Sequence, residues 1–121
     1  MRPNPRHDLS RSLHGIPLDL TRLLDYHKGS VVSREIVRND AGTLTVFAFD
    51  RGQGLSEHTA PFDAVVYLLD GEAMIVIAGK TRRIKKHRMI IMPAGKPHSL
   101  KAITKFKMLL ILIKKKAVIK K

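Results

Sequence analysis

The chain has no cysteine and no tryptophan, and its aromatic residues are limited to four phenylalanines and two tyrosines. Without cysteine, neither disulfides nor thiolate metal ligands are available, so the fold has to be stabilised by packing and hydrogen bonding. The scarcity of aromatic side chains removes the stacking platforms on which single-stranded nucleic acids are usually bound. A disulfide scaffold and a thiolate metal protein are therefore excluded, and a nucleic-acid-binding domain is disfavoured.

Long apolar runs are also missing from the sequence. No stretch reaches the roughly 20 apolar residues that a membrane-spanning helix needs. The polar and basic N-terminus lacks the apolar segment of a secretory signal peptide. We therefore expect a cytoplasmic protein that makes no membrane contact. The length of 121 residues suits one domain with one hydrophobic core.

Acidic residues are absent from the part of the chain that follows Glu72. Residues 80–121 contain fifteen lysines and arginines and no carboxylate, and the net charge of the whole chain is +13. Such a charge attracts nucleic acid, acidic lipid or anionic small molecules. We favour a solvated basic face, because the chain shows no aromatic platform and no nucleic-acid fold signature. Binding of a polyanion or nucleic acid through residues 80–121 stays an alternative hypothesis.

The distribution of residue types divides the chain into three parts. Residues 1–15 are rich in arginine, proline, serine and histidine and are expected to be a flexible N-terminal segment. Residues 16–113 are expected to form the folded domain, and residues 114–121 a basic C-terminal tail. At the start of the domain, Asp19 is suited to cap a short helical turn that follows it.

Short apolar and β-branched segments separated by turn residues recur throughout the domain. The predicted strands cover residues 31–37, 43–49, 64–69, 73–78, 81–86, 89–92, 99–102 and 106–113. Many short strands with frequent turns are typical of a β-sandwich or β-barrel. Between the third and fourth predicted strands, Asp70 and Gly71 indicate a hairpin, because both residues tolerate positive φ.

A spaced pattern of glycine, histidine and alanine spans residues 52–71. Gly52 is followed by five residues and His58, and the pattern continues with Ala60, Ala64 and Gly71. This spacing resembles the first motif of small cupins. In that motif a second histidine stands at the position of Ala60 and a glutamate at the position of Ala64.

A second pattern lies between residues 87 and 102. Pro93, Gly95 and His98 keep the spacing of the second cupin motif. His87 stands where that motif has its glycine, and Ala102 stands where it has an asparagine. The two motifs follow each other in order and together cover roughly half of the chain. The sequence thus resembles a small single-domain cupin with a degenerate metal-binding motif.

The resemblance implies an all-β fold, namely a cupin-type jelly-roll β-barrel with a short N-terminal helical segment. It also implies that His98 meets the residues of the first motif inside the barrel. Residues 58, 60 and 64 share strand parity, so we expect them to face the same interior. Around His58 and His98, the predicted apolar wall of a ligand pocket comprises Phe62, Val66, Met74, Met92 and Met108.

Two functions of this pocket are considered. The first is binding of a small molecule, with an organic acid favoured by the basic charge of the chain. The second is a metal-dependent enzyme of the dioxygenase or isomerase type. In it, His58 and His98 would bind a divalent zinc, nickel, manganese or iron ion weakly. Because catalytic metal sites usually have three protein ligands, the sequence favours a protein that is not an enzyme. A plain hydrogen-bonded histidine pair is the third interpretation.

The last predicted strand, residues 106–113, is nearly continuous in hydrophobicity. A strand with one face in water would alternate between apolar and polar residues, so both faces of this strand are expected to be covered. The resemblance to small cupins implies a homodimer through outer strands. The second face is therefore expected to meet either the N-terminal segment or a partner subunit.

Overall fold

The computed structural model describes residues 13–114. Nearly all of its regular structure is β-strand, which confirms the predicted all-β class. The predicted helical segment is a single 3-10 turn, Leu20–Arg22. The strands are β1 (Val31–Asn39), β2 (Gly42–Phe49), β3 (Gly54–His58), β4 (Asp63–Asp70), β5 (Glu72–Ile77), β6 (Lys80–Lys85), β7 (Met89–Met92), β8 (His98–Ala102) and β9 (Phe106–Ile113).

The strands form two antiparallel sheets that enclose the core. The first sheet has the order β1-β2-β9-β4-β7, and the second has the order β3-β8-β5-β6. Inward side chains of both sheets meet in one cluster, in which the rings of Phe49 and Phe106 stack with centroids 4.3 Å apart. The predicted jelly-roll barrel is confirmed by this arrangement.

Strand β9 lies at the centre of the first sheet, which explains its nearly continuous hydrophobicity. Its inward residues, such as Met108, are fully buried in the core. On its outer face, Leu109 packs in a cluster that includes Leu23 and Leu24 of the described N-terminal segment, residues 13–30, which precedes β1. This segment therefore covers part of the second face.

Polar contacts attach the N-terminal segment to the barrel. Asp19 caps the 3-10 turn as predicted, since its side chain accepts a hydrogen bond from the amide of Thr21. The Tyr26 hydroxyl donates to Asp70 at 2.6 Å, and the Lys107 ammonium donates to the carbonyl of Thr21 at 2.6 Å. Burial and the hydrogen bond to Asp70 both raise the pKa of Tyr26, so its hydroxyl stays a donor at all ordinary pH values.

The predicted hairpin at Asp70 and Gly71 is wrong. Strand β4 pairs with β7 and β9, whereas β5 pairs with β6 and β8, so the chain crosses between the sheets at this point. Gly71 has a φ of +76°, and a Cβ atom there would lie 1.9 Å from the carbonyl oxygen of Lys105. An Asp-Gly pair suits any position that needs positive φ, and a corner between sheets is one of them.

Strands β5, β6 and β7 follow the crossover. Strands β5 and β6 form a hairpin, with Ala78 and Gly79 at positive φ as its two-residue turn. Strand β7 is the edge strand of the first sheet, and its burial alternates: Met92 points inward and is buried, whereas Met89 and Ile91 are exposed on the other face.

No helix among residues 13–114 is long and apolar enough to cross a membrane. The cytoplasmic location stays a prediction. The flexible segment at residues 1–15 and the basic tail at residues 114–121 were predicted for parts of the chain that lie almost entirely outside the described residues.

Candidate functional site

His58 and His98 face each other across the pair formed by β3 and β8. They are direct partners in the strand register, and a bulge between Leu55 and His58 brings the His58 side chain into this position. The two Nε2 atoms lie 3.1 Å apart, and the ring planes are inclined at 72°. Thus the structure brings together the two histidines that the sequence singled out.

The Nδ1 atoms of both rings contact backbone carbonyl oxygens. Nδ1 of His58 lies 2.9 Å from the carbonyl oxygen of Ser56, and Nδ1 of His98 lies 3.1 Å from that of Lys96. A carbonyl oxygen can only accept, so these contacts assign the hydrogen of each neutral ring to Nδ1. The two Nε2 atoms are then both acceptors, and a third group or an additional proton has to supply the hydrogen between them.

The two histidines differ in their exposure to water. His98 is 3% exposed, whereas His58 lies at the surface. Burial is the main cause that lowers the pKa of His98, and the neighbouring His58 lowers it further, while the hydrogen bond to Lys96 acts in the opposite direction. His98 is therefore a neutral acceptor at pH 7 in the absence of a bound anion.

A small apolar cavity of about 150 Å³ lies below the histidine pair, between the two sheets. Apart from the two imidazoles, every side chain that lines it is apolar. These residues are Leu55, Ala60, Phe62, Ala64, Met92, Leu100, Met108, Leu110 and Leu112. Phe62, Met92 and Met108 of the predicted wall therefore lie around this cavity.

Two residues of the predicted wall lie elsewhere. Met74 is 38% exposed on the outer face of β5, because its neighbours Ala73 and Ile75 take the inward positions. Val66 does point inward, but it is part of the closed core and does not line the cavity. The role of the remaining predicted residues in ligand binding stays a prediction.

Four leucines of the cavity were missed by the sequence analysis. Leu110 and Leu112 share strand parity with Met108, and Leu100 shares parity with His98, so alternation along the strands is a signal that finds them. Leu55 is separated from His58 by an odd number of positions and faces the same cavity only because of the β3 bulge. No pattern in the sequence reveals that bulge.

The side chains around the cavity provide too few ligands for a complete metal centre. Ala60 and Ala64 line the cavity at the positions where the family motif has ligands. Asp63 accepts a hydrogen bond from the amide of Ala94 at 2.9 Å, and neither Asp63 nor Glu57 lines the cavity. Within residues 13–114 there is no group of three histidine or carboxylate side chains that could hold an ion. Two imidazoles alone do not fit the three ligands that a catalytic metal usually has.

The other histidines of the described chain lie away from the cavity. His87, at the position where the second cupin motif has its glycine, is exposed and has a φ of +69°. Its Nδ1 atom lies 3.3 Å from the hydroxyl of Tyr67. His14 and His27 are exposed and belong to the N-terminal segment.

The family profile and the similar solved structures indicate the same protein family. The family profile described as a cupin domain matches residues 45–114. A crystal structure of a conserved protein of unknown function from Streptococcus pyogenes has 39% identity and a TM-score of 0.81, and the match covers 86% of this chain and 91% of that chain. No curated protein matches the chain.

Two further solved structures are similar. A cupin superfamily protein from Desulfitobacterium hafniense has 27% identity and a TM-score of 0.79, with 84% of this chain and 93% of that chain covered. A cupin 2 conserved barrel domain protein from Leptotrichia buccalis has 37% identity and a TM-score of 0.78. The latter match covers 80% of this chain and 47% of that chain.

Proposed function

The chain belongs to the cupin family, and on that basis we propose that it binds a small organic acid in the cavity below His58 and His98. One observation carries the proposal. Two Nε2 acceptors converge to 3.1 Å at the mouth of a cavity whose other walls are apolar. Such a site can accommodate a ligand that has an apolar body and one hydrogen-donating or acidic group.

An organic acid suits the histidine pair because its carboxylate stabilises the missing proton once that proton is taken up from solution. Both Nδ1 hydrogens are engaged by the carbonyls of Ser56 and Lys96, so neither is available at the cavity. When a carboxylate binds and one Nε2 takes up a proton from solution, the carboxylate accepts a charge-assisted hydrogen bond from the resulting imidazolium. A neutral amide of the same shape does not stabilise that added proton and forms only ordinary hydrogen bonds, which are weaker.

The size of the cavity limits the ligand. Its volume of about 150 Å³ is similar to that of a cavity that accommodates one benzene ring. Benzoate and branched short-chain carboxylates are therefore the appropriate size class. The high net positive charge of the chain, +13, favours anions over neutral or cationic molecules of the same shape.

Thermal unfolding with a panel of small carboxylates, phenols and sugars tests the proposal. An organic acid at about 100 times its Kd should stabilise the protein by about 2.7 kcal/mol. The effect should be lost in Ala64→Leu, whose side chain fills the cavity, and weakened in His98→Ala. His87→Ala is the matched control, because His87 is exposed and remote from the cavity. Equal stabilisation of Ala64→Leu and the unmodified protein would contradict binding in this cavity.

A metal-dependent enzyme of the dioxygenase or isomerase type is the second candidate function. The observation in its favour is the orientation of the two imidazoles, whose Nδ1 atoms meet carbonyls while their Nε2 atoms converge. Metal-binding histidines are commonly oriented by such hydrogen bonds. Because Ala60 and Ala64 contribute no ligand, an ion there would need further ligands from substrate or water. We therefore place this candidate after binding of an organic acid.

Elemental analysis separates the two candidates. Protein purified without a histidine tag, after growth with zinc, nickel, manganese and iron supplements, would contain about one ion per chain if the second candidate holds. Loss of that ion in His98→Ala would attribute it to the histidine pair. A metal content near zero would contradict the second candidate and leave binding of an organic acid unaffected.

We propose that the protein is a homodimer and that the outer face of the first sheet forms the contact. The register places one aliphatic residue of each strand in a single row across this sheet. The row consists of Val37, Leu44, Ile111, Val65 and Ile91. None of the five is fully buried, and Ile91 is 52% exposed. Val37 and Leu44 also pack beside the cluster that includes Leu23 and Leu24, so the row is most open towards Ile91. A continuous apolar row on the surface is typical of an interaction site.

Light scattering at working concentration tests this assembly. The unmodified protein should have the mass of two chains, and Ile91→Glu should have the mass of one. The exposed Met74 lies on the other sheet, so Met74→Glu should leave the dimer intact. A monomeric unmodified protein would contradict the proposal.

A further inference from the structure

The edge strands β6 and β7 leave the barrel open along one side. Strand β6 ends the second sheet and pairs only with β5, and strand β7 ends the first sheet and pairs only with β4. Each strand therefore has one edge without a partner strand among residues 13–114. Backbone amides and carbonyls on such an edge are able to pair with an additional strand.

A groove runs along this open side. It consists of two adjoining cavities of about 510 and 410 Å³ that share Arg82 and Ile90. Both cavities are larger than the cavity below the histidine pair, and they do not share a residue with it. The groove is therefore a separate feature of the molecule.

The groove is lined by cations and contains no carboxylate. Its cationic side chains are Lys80, Arg82, Lys85, Lys86, Arg88 and Lys96, together with Arg83. Of these, Arg83 is paired with Glu72, and the other ion pairs of the described chain involve none of the groove residues. Six positive charges are thus left without a carboxylate partner along a groove about one strand long.

The floor of the groove is apolar. Ile84 and Ile90 lie between the cations, and Ile84 is nearly fully buried. Lys80 and Arg82 have the same strand parity as Ile84, so these cations and the isoleucine lie on the same face of β6. An added strand with carboxylates on one face and apolar side chains on the other can therefore contact both the cations and the apolar floor.

We propose that this groove binds an extended acidic peptide segment as an added β-strand. The charge of the groove selects carboxylates, the apolar floor accepts the alternate side chains, and the open edge supplies backbone hydrogen bonds. A second copy of this chain does not fit, because its own β6 and β7 edges carry the same positive charge. Nucleic acid is a poorer match, because no aromatic side chain lines the groove for base stacking.

Fluorescence anisotropy with a labelled peptide of alternating glutamate and valine, six residues long to match β6, tests the proposal. Arg82→Glu should weaken binding by about tenfold or more, because it reverses a charge at the centre of the groove. Lys101→Glu is the matched control, since Lys101 is exposed on β8 and outside the groove. Its affinity should change by less than about twofold at moderate salt.

A second probe separates strand pairing from simple charge attraction. Methylation of alternate backbone nitrogens keeps the charges of the peptide and removes its amide donors, so binding should fall by about tenfold. Hydrogen exchange of the complex should show slower exchange in residues 80–92 and no change in β3, the opposite edge of the second sheet. Arg88→Glu repeats the test of Arg82→Glu at a second position.

Three results would overturn the proposal. Equal binding of the methylated peptide would show attraction by charge without strand pairing. Tighter binding of an oligothymidylate of similar charge would assign the groove to nucleic acid. Failure of the peptide to bind would mean that the cations only protect the two edges from pairing with other sheets.

Discussion

Replacement of Gly71 by alanine should strongly destabilise the barrel. Gly71 lies where the chain passes from β4 in the first sheet to β5 in the second. Its φ is +76°, and an added Cβ would lie 1.9 Å from the Lys105 carbonyl oxygen and 2.8 Å from the Cα atom of Phe106. Both neighbours are backbone atoms, so the clash is relieved only by moving β9 or the crossover.

Gly79 provides a matched control that separates strain from clash. Its φ is +80°, nearly the same as that of Gly71, but no atom lies within 4 Å of an added Cβ. Substitution by alanine at either position should lower the free energy of unfolding by about 1 kcal/mol, because the backbone is in the left-handed region. Only Gly71→Ala adds the displacement of packed backbone, which we expect to bring its total loss to about 3 kcal/mol or more.

Urea denaturation and thermal unfolding measure the difference in stability between Gly71→Ala and Gly79→Ala. For a domain of this size, 1 kcal/mol corresponds to a shift in Tm of roughly 4–8 °C. Gly79→Ala should lower the Tm by about that amount, and Gly71→Ala by about 15 °C or more. Equal losses for the two variants would show that the crossover at Gly71 is not tightly packed, and the reasoning would be refuted.

Three other substitutions test separate parts of the structure. Tyr26→Phe leaves Asp70 without its hydroxyl donor, so the free energy of unfolding should fall by about 1–2 kcal/mol in urea titrations. Burial lowers the pKa of His98 below the ordinary value of 6.5, so the unfolded chain takes up its proton first as the pH falls. Stability should therefore decrease below about pH 6.5, and the urea midpoint of His98→Gln should change less between pH 7.5 and 5.5. Met108→Ala should cost about 2–5 kcal/mol because the side chain is fully buried, whereas the exposed Met74→Ala should cost less than about 0.5 kcal/mol.

The correction at Met74 shows why strand alternation alone did not define the cavity wall. Strand β5 is apolar on both faces, so its sequence does not indicate which residues point inward. The choice depends on which sheet β5 joins and which side of that sheet faces the core. The same limit applies to Leu55, because a bulge reverses the side to which it points.

Local information in the sequence was sufficient for every strand except β3, which has no apolar run and was not predicted. Strand propensity and turn chemistry depend on neighbouring residues. The meeting of His58 with His98 followed from the resemblance of the motif spacing to that of small cupins. The tertiary structure decided the passage between sheets at Gly71, the exposed position of Met74 and the open groove between β6 and β7. These features depend on which strands pair over long separations in sequence, and an apolar segment or an Asp-Gly pair is compatible with several pairings.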